Sequence, residues 1–282
     1  MTTQQQVPVI AVVLAAGSGL RFDPDHPKQL VRLDDLPIVG WSIKAFEDNP
    51  HVTDIVVVVN TTVRQEIEEL IDDRGFDKVK LVVEGGAERT DSTEAALSAL
   101  ADAGVPADAK ILIHDSVRPF VTQQMIDGCI GTLDEFTAAT VACESTDTIL
   151  MSEDLGDRRV VREVPDRSHC FRVQTPQAFR FATIRKAYDL AANDDLFRPT
   201  DDSRVVVEYL PDQPVAIVAG SPTNMKVTTK DDLPFARLTA ANIKARREAT
   251  AAAAAGQLDD DAAKAAAREK VRALFGHAFG AK

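Results

Sequence analysis

Short runs of mostly apolar, β-branched residues alternate with helical patterns along this chain, and this alternation is the strongest constraint on its fold. The first run covers residues 9–16, and further runs cover residues 55–59, 79–83, 111–114, 137–142 and 215–219. Strands that are apolar along their whole length, rather than at every second residue, belong to sheets that are covered on both faces. We therefore predict a Rossmann-like α/β fold, with a mostly parallel sheet and helices on both of its faces.

The segments between these strands have the periodicity or the end signals of helices. Predicted helices cover residues 39–46, 91–102, 122–136 and 200–210, and another contains Ile184 and Tyr188. The spacing of Thr62 and Gln65 is that of a capping box and predicts a helix start. The Thr175-Pro176-Gln177 segment could be merely a turn before the helix at Ile184. Ligands of parallel sheets bind at the carboxyl ends of strands, so the loops after residues 16, 83 and 114 are candidate binding loops.

Two segments depart from this alternation. Residues 148–171 hold scattered apolar pairs among acidic and basic residues, which is typical of an extended hairpin. Because an isolated hairpin is marginally stable, we expect it to project from the domain and to pack on a partner subunit. From about residue 237 the chain is alanine-rich and charged. We therefore predict one domain over residues 1–236, with a β-arm at about 145–171, and a helical extension over residues 237–282 that breaks near Gly256.

The loop after the first strand combines small residues with two cations. Gly17-Ser18-Gly19-Leu20-Arg21 follows the strand directly, and Lys28 comes soon after it. Small residues let backbone N–H groups approach a phosphate closely, and the two cations add charge at the same place. The pattern predicts that this loop binds a nucleoside triphosphate, although a Gly-x-Gly after a strand is often only a tight turn.

Two other phosphate-binding motifs fit this loop less well. A dinucleotide fingerprint requires a third glycine where this chain has Phe22, and a carboxylate at the end of the second strand, where it has Asn60. A Walker loop requires a Gly-Lys-Ser/Thr sequence that is missing here. An NAD-dependent oxidoreductase is therefore disfavoured. A nucleotide-binding module without turnover is also disfavoured, since Arg21, Lys28 and Asp115 are all present.

Overall charge and cysteine usage limit the partners and the compartment. A formal net charge of −12 disfavours nucleic acid as a partner and makes any local cluster of Lys and Arg informative. The sequence has no apolar run of membrane-spanning length and no basic region of a signal peptide at its start. Cys129, Cys143 and Cys170 lack the spacing of a disulfide framework or a metal site. We expect a cytoplasmic protein that binds neither nucleic acid nor membrane.

Two further loops carry polar groups at strand ends. Asp115 follows the strand at 111–114, where a carboxylate can bind Mg²⁺ together with substrate phosphates, and Arg118 could clamp a second phosphate. The alternative for Asp115 is a helix cap or a turn. After the strand at 79–83, the Gly85-Gly86 backbone and the Ser92 hydroxyl could contact a nucleobase or ribose. The alternative at that loop is an ordinary strand-to-helix turn.

In combination, these motifs resemble the 2-C-methyl-D-erythritol 4-phosphate cytidylyltransferase family. They occur in this order: LAAGSGLR at residues 14–21, Pro27-Lys28-Gln29, Gly85-Gly86 with Arg89 and Ser92, His114-Asp115 with Arg118-Pro119, Thr175-Pro176-Gln177, and Asn224 with Lys226-Val227-Thr228. The resemblance covers about residues 9–236. It implies a nucleotidyltransferase domain with a dimerising β-arm, which would transfer a cytidylyl group from CTP to a polyol phosphate for isoprenoid precursors, with Mg²⁺.

The same resemblance implies roles for individual residues. The catalytic cations would be Arg21, Lys28, Arg167 and Lys226, and Asp115 would bind the metal. The nucleotide would contact Ala15, Ala16, Gly17, Gly19, Gly86, Arg89 and Ser92. The polyol phosphate would contact Arg118, Thr148, Arg167 and Lys226, with Thr148 and Arg167 reaching it from the arm of the neighbouring subunit.

One motif departs from the family pattern. The usual His-Asp-Ala-Ala-Arg-Pro is His-Asp-Ser-Val-Arg-Pro here, because Ser116 and Val117 replace the two alanines. A valine at this position is similar to the ribitol 5-phosphate cytidylyltransferases, which make teichoic-acid precursors. Ribitol 5-phosphate is therefore the alternative acceptor.

Overall fold

A computed structural model describes residues 7–17, 22, 27–194 and 196–250 of the chain. The strands are β1 (Val9–Leu14), β2 (Arg32–Leu33), β3 (Leu36–Pro37), β4 (Asp54–Val59), β5 (Val79–Glu84), β6 (Lys110–Asp115), β7 (Ala138–Glu144), β8 (Met151–Asp154), β9 (Arg159–Glu163), β10 (Phe171–Arg180) and β11 (Val215–Ala219). The α-helices are α1 (Ile38–Glu47), α2 (Arg64–Arg74), α3 (Arg89–Asp102), α4 (Gln123–Thr132), α5 (Phe181–Ala191) and α6 (Asp202–Tyr209). Short 3₁₀ helices cover Lys28–Leu30, Arg167–His169 and Lys230–Asp232.

Seven of these strands form one sheet in the order β11-β7-β10-β6-β1-β4-β5. The pairs β1–β4, β1–β6, β4–β5 and β7–β11 are parallel, and of the seven strands only β10 runs antiparallel to its neighbours, β6 and β7. The prediction of a mostly parallel sheet is confirmed. After β5 the chain returns to the other side of β1, so a topological switch point lies between β1 and β6, where open α/β sheets bind ligands.

Helices cover both faces of this sheet, as predicted. Alternate residues of β1 point to opposite faces, so Val13 belongs to one buried cluster and Val12 to the other. The first cluster includes apolar side chains of α1, α2 and α4, and the second includes those of α3, α5 and α6. The strands are apolar along their whole length because both faces of the sheet are buried.

The interpretation of Thr175-Pro176-Gln177 as a turn is wrong. These residues lie inside β10, which runs through the middle of the sheet, and a register shift separates Val173 from Gln177. The Thr175–Pro176 peptide bond is cis. Because this strand is rich in polar residues, it lacks the apolar run that predicts the other strands of the sheet. The polar residues in its middle are nevertheless buried, because partners from distant parts of the chain satisfy them.

Several helix boundaries also differ from the predictions. Thr62 does not cap α2, which begins at Arg64 after Val63 and has no side-chain cap. The capping box lies instead at α3, between Glu88 and Asp91, so that helix begins at Arg89, two residues before the predicted start. Helix α4 has Thr122 as its N-cap and ends at Thr132, before the predicted end at residue 136.

The β-arm exists as a separate two-stranded sheet of β8 and β9. The chain divides into two compact units, Met1–Leu233 and Pro234–Lys282. In the second unit the described residues are helical up to residue 250. The predicted break near Gly256 lies outside the described residues. Within the described part of the chain, no helix has both the length and the apolar character needed to cross a membrane.

Candidate active site

A pocket of about 420 Å³ opens at the carboxyl edge of the sheet, beside the switch point. Its lining includes eight of the predicted site residues: Ala16, Gly17, Lys28, Gly86, Arg89, Ser92, Asp115 and Lys226. They come from the loop after β1 and the 3₁₀ helix that follows it, from the loop after β5 and the first turn of α3, from the end of β6, and from the segment after β11. The three candidate binding loops therefore meet at one place, as the sheet topology predicts.

The loop after β1 is held by two side-chain amides. Gln29 is buried, and its Nε2 donates to the carbonyl oxygens of Ala15, at 2.8 Å, and Gly17. Asn60 Nδ2 donates to the carbonyl of Ala16 at 2.9 Å. Three consecutive carbonyls are thus bound on the protein side, which orients the planar peptides that follow them. With these peptides held in place, Ala16 and Gly17 line the pocket.

The glycine pair after β5 is required by close approach within the protein. A Cβ at Gly85 would lie 2.6 Å from both the Ala16 Cβ and the Ser92 Oγ. A Cβ at Gly86 would lie 2.2 Å from the Cβ of Asp91, the residue that closes the α3 capping box. Glycine is therefore needed to bring the β1 loop and the start of α3 together. A Cβ at Gly17, by contrast, would meet nothing among the described residues within 4 Å.

Asp115, the last residue of β6, is the electrostatic centre of the site. Its Oδ1 accepts from Arg89 Nε at 2.9 Å, and its Oδ2 accepts from Lys226 Nζ at 2.9 Å. Arg118 Nε lies 3.9 Å from Oδ2. Burial opposes the charge on Asp115, but Arg89 and Lys226 outweigh it and hold the pKa of this carboxyl far below its usual range. The carboxylate therefore pairs with cationic side chains rather than capping a helix.

Arg89 lies between two carboxylates. Besides Asp115, it approaches Asp202, whose Oδ2 is 2.8 Å from Arg89 Nη1. Burial disfavours the charged guanidinium, yet the two carboxylates raise the pKa of Arg89 above its ordinary value. The guanidinium thus remains charged in a largely buried position.

Arg118 faces a second, smaller cavity of about 190 Å³. The two cavities share Arg89, Asp115 and Lys226 in their lining. Arg118 Nη1 donates to the carbonyl oxygen of Asn224 at 2.9 Å, which ties the β6 loop to the segment after β11. The predicted phosphate clamp therefore lies next to the main pocket.

His114 is buried and neutral. Burial lowers the pKa of this imidazole to about 4. Its Nε2 lies 3.0 Å from the carbonyl oxygen of Arg118 and its Nδ1 lies 2.9 Å from Thr175 Oγ1. A carbonyl only accepts, so Nε2 carries the proton and the Thr175 hydroxyl donates to Nδ1. The Asp115 N–H donates in turn to Thr175 Oγ1 at 3.1 Å, so this chain of bonds orients the Asp115 backbone.

Some predicted site residues do not join this pocket. Thr148 and Arg167 are exposed on the arm and are not among the residues that line the pocket. Arg167 Nη1 donates to the Thr146 carbonyl at 3.5 Å. Ala15 lies behind the lining, with its N–H donating to the Val58 carbonyl. Two others, Gly19 and Arg21, lie outside the described residues.

The structure also adds residues to which the sequence assigned no role. Gln29 and Asn60 hold the β1 loop, Thr175 orients the Asp115 backbone, and Asp202 contacts Arg89. Gln29 and Thr175 belong to motifs that carry the family resemblance, so their place in those motifs could have indicated a role in the site. Asp202 is more than a hundred residues from Arg89 and has no such signal.

Comparison with known proteins points to one family. The family model described as IspD, 2-C-methyl-D-erythritol 4-phosphate cytidylyltransferase, matches residues 9–241. A protein of that name from Bifidobacterium longum (strain DJO10A) is 62% identical over 263 residues, covering 90% of each chain. The bifunctional ribulose 5-phosphate reductase/CDP-ribitol pyrophosphorylase Bcs1 of Haemophilus influenzae is 35% identical over 224 residues. The matched region is 79% of this chain and 46% of that protein.

Solved structures agree with the sequence comparisons. The crystal structure of 4-diphosphocytidyl-2C-methyl-D-erythritol synthase from Anaerococcus prevotii is similar with a TM-score of 0.71 and 27% identity, over 83% of this chain and 96% of that one. A 2-C-methyl-D-erythritol 4-phosphate cytidylyltransferase from Thermus thermophilus is similar with a TM-score of 0.64 and 26% identity, over 83% and 98% of the two chains. The predicted α/β nucleotidyltransferase fold is confirmed.

Proposed function

The chain belongs to the 2-C-methyl-D-erythritol 4-phosphate cytidylyltransferase family, and on that premise we propose that it transfers the cytidylyl group of CTP to 2-C-methyl-D-erythritol 4-phosphate, releasing pyrophosphate. The observation that carries the proposal is the convergence of Lys28, Arg89 and Lys226 on one pocket. The whole chain has a formal net charge of −12. A local concentration of cations in so acidic a protein suits a polyanionic ligand.

The reaction needs no general base on the protein. The attacking group is an oxygen of the acceptor's phosphate, which is already ionised near neutral pH. This oxygen forms a bond to the α-phosphorus of CTP while the bond from that phosphorus to the pyrophosphate oxygen breaks. Catalysis then consists of holding the two substrates in line and neutralising charge. His114 is consistent with this, because it is neutral and both ring nitrogens already have partners.

We assign Lys28 to the phosphate that is transferred and Lys226 to the phosphate of the acceptor, which it would orient for attack. Lys28 begins the 3₁₀ helix after the β1 loop and lines the same pocket as Asp115. Lys226 pairs with Asp115, but its side chain is 39% exposed, so it retains freedom to contact substrate. The proposed role of Arg21 rests on the sequence motif alone, since this residue lies outside the described part of the chain.

Asp115 is the residue that we propose to hold Mg²⁺. It presents an ionised carboxylate to the pocket, and Mg²⁺ is commonly bound by one or two carboxylates together with substrate phosphates. Across the described residues, no group of three or more His, Cys, Asp or Glu side chains forms a metal site. Phosphate oxygens and water would therefore supply the other ligands. When bound, the metal neutralises phosphate charge.

The β-arm is the surface through which we propose a homodimer. Its strands are nearly all exposed, including the apolar side chains of Met151, at 55%, and Val161, at 59%. A two-stranded sheet with such exposed apolar groups needs a packing partner. A second subunit covering the arm would also bring Thr148 and Arg167 towards an acceptor phosphate, as the family resemblance implies.

A cytoplasmic location is also proposed. All three cysteines, Cys129, Cys143 and Cys170, are free. Free cysteines are typical of a reducing compartment.

The proposed reaction can be tested directly. Purified protein with CTP, Mg²⁺ and 2-C-methyl-D-erythritol 4-phosphate should give one CDP-alcohol for each pyrophosphate released, both measured by ³¹P NMR. ATP, GTP and UTP serve as matched controls and should turn over much more slowly. Pyrophosphate release that does not depend on the acceptor, or the absence of a CDP-alcohol, would contradict the proposal.

A further inference from the structure

A fully buried carboxylate lies directly behind the site. Asp202, the first residue of α6, has no exposed surface. A buried carboxylate is costly unless charge and hydrogen bonds compensate it, so its partners reveal what it is for. Those partners come from three other elements of the fold, α3, α5 and β10, and one of the partners is Arg89.

One oxygen and the backbone of Asp202 are held by neutral groups. Oδ1 accepts from Tyr188 Oη at 2.6 Å and from Thr93 Oγ1 at 3.0 Å. The Asp202 N–H donates to Gln177 Oε1 at 2.8 Å. These bonds join α3, α5, α6 and β10, and they leave Oδ2 directed towards Arg89. The carboxylate is therefore fixed before any substrate binds.

Arg89 is the only charged group among these contacts, and it links Asp202 to the pocket. Its Nη1 lies 2.8 Å from Asp202 Oδ2, while its Nε donates to Asp115 Oδ1 at 2.9 Å. Among the described residues, no acceptor forms a well-aligned hydrogen bond with either terminal nitrogen of Arg89. A guanidinium beside a single carboxylate tends to pair with it through two parallel bonds. The charge of Asp202 opposes that rearrangement.

We propose that Asp202 is a positioning residue, which holds the Arg89 guanidinium between two carboxylates and so keeps Asp115 Oδ2 available to Lys226 and the substrate side of the pocket. This inference rests on the proposed function. Without the charge of Asp202, Arg89 turns fully onto Asp115, and both the guanidinium and the carboxylate leave their working positions. The nucleotide can still bind, because the other contacts proposed for it, at Gly17, Gly86 and Ser92, are unchanged.

The principal test is Asp202→Asn, which keeps the shape and one acceptor oxygen but removes the charge. We expect kcat to fall roughly 10–100-fold, the usual cost of losing a group that orients a functional residue, with KM for CTP changed by less than about threefold. Tyr188→Phe is the matched control, because it removes a hydrogen bond to the same carboxylate without changing charge. Its kcat should stay within about threefold of wild type.

A double-mutant cycle shows whether Asp202 acts through Arg89. In an Arg89→Ala background, Asp202→Asn should lower kcat by less than about twofold, because the group it positions is gone. Independent effects that multiply would overturn the proposal. So would a Tyr188→Phe enzyme that loses as much kcat as Asp202→Asn, because both losses would then reflect general destabilisation.

A readout without turnover separates this inference from the proposed reaction. The Nε–H resonance of Arg89, assigned by its loss in Arg89→Ala, should shift in Asp202→Asn and remain near its wild-type position in Tyr188→Phe. An unshifted resonance in Asp202→Asn would overturn the positioning role even if the enzyme is active. If Asp202→Asn shifts the resonance but the wild-type protein fails to turn over CTP, the positioning role stands and the proposed function is removed.

Discussion

Replacing Lys28 with alanine should lower kcat by roughly 10²–10³, because it removes one preorganised charge from the transferred phosphate. Lys28 is half-buried at the edge of the pocket and belongs to a 3₁₀ helix of three residues, so few packing contacts depend on its side chain. CTP affinity should fall much less than kcat, since the other pocket cations remain. Steady-state kinetics and calorimetric CTP titration measure the two effects separately.

Lys44→Ala is the control for general loss of a lysine. Lys44 forms a surface ion pair with Asp48, at 2.8 Å, with both side chains more than a third exposed. Pairs of this kind contribute little to stability, so kcat should be unchanged. If Lys28→Ala instead weakens CTP binding and kcat/KM equally and leaves kcat intact, Lys28 binds only the ground-state triphosphate.

The arm is expected to complete the acceptor site of the neighbouring subunit, so Arg167→Ala and Lys28→Ala should each inactivate a homodimer. Mixing the two inactive variants under conditions that exchange subunits should restore activity. Each mixed dimer has one site with Lys28 from one subunit and Arg167 from the other. With random exchange, about a quarter of the wild-type specific activity should return, since half of the dimers are mixed and half of their sites are intact.

Subunit exchange has to be demonstrated independently, for instance with two differently tagged chains recovered together. Arg159→Ala is a matched control on the same arm, because Arg159 is highly exposed and its ion pair, with Asp154 at 3.7 Å, lies within the arm. Its activity should remain near that of wild type. Full exchange without recovery would place Arg167 in the site of its own subunit, or outside the site altogether.

The strands of the sheet could be predicted wherever the strand itself is a run of apolar residues. Val9 to Leu14 and Asp54 to Val59 are apolar almost throughout because helices bury both faces of the sheet, and this composition is visible without any structure. The position of the pocket followed from the same reasoning, because parallel strands bring their carboxyl ends to one edge. Lys28 and Asp115 could therefore be assigned to one site from the sequence.

Strand β10 could not be found in this way, because its polar residues find partners far away in the chain. Gln177 is buried and bonds to Thr140 and to the backbone of Asp202. Thr175 bonds to His114. No local pattern distinguishes such residues from those of a polar turn. Tertiary contacts decide the outcome, and they outweigh local propensity.

The same limit applies to the site. Asp115 could be recognised as a candidate ligand, but the arrangement that holds it could not, because Arg89, Lys226 and Asp202 come from three distant segments. The glycine pair after β5 was interpreted as a possible ligand contact. The structure explains it by packing, since Gly85 and Gly86 let the β1 loop and α3 approach each other. The residues with catalytic or binding groups could be recognised from the sequence, but the residues that hold them in place could not.

The choice of acceptor tests the account most directly, because Val117 lines the pocket at the position where the sequence departs from the family pattern. With CTP and Mg²⁺, kcat/KM should be measured for 2-C-methyl-D-erythritol 4-phosphate and for ribitol 5-phosphate in competition. We predict a preference for the first of at least about tenfold, which corresponds to about 1.4 kcal/mol of transition-state binding. A preference for ribitol 5-phosphate, or equal use of the two acceptors, would contradict the assignment.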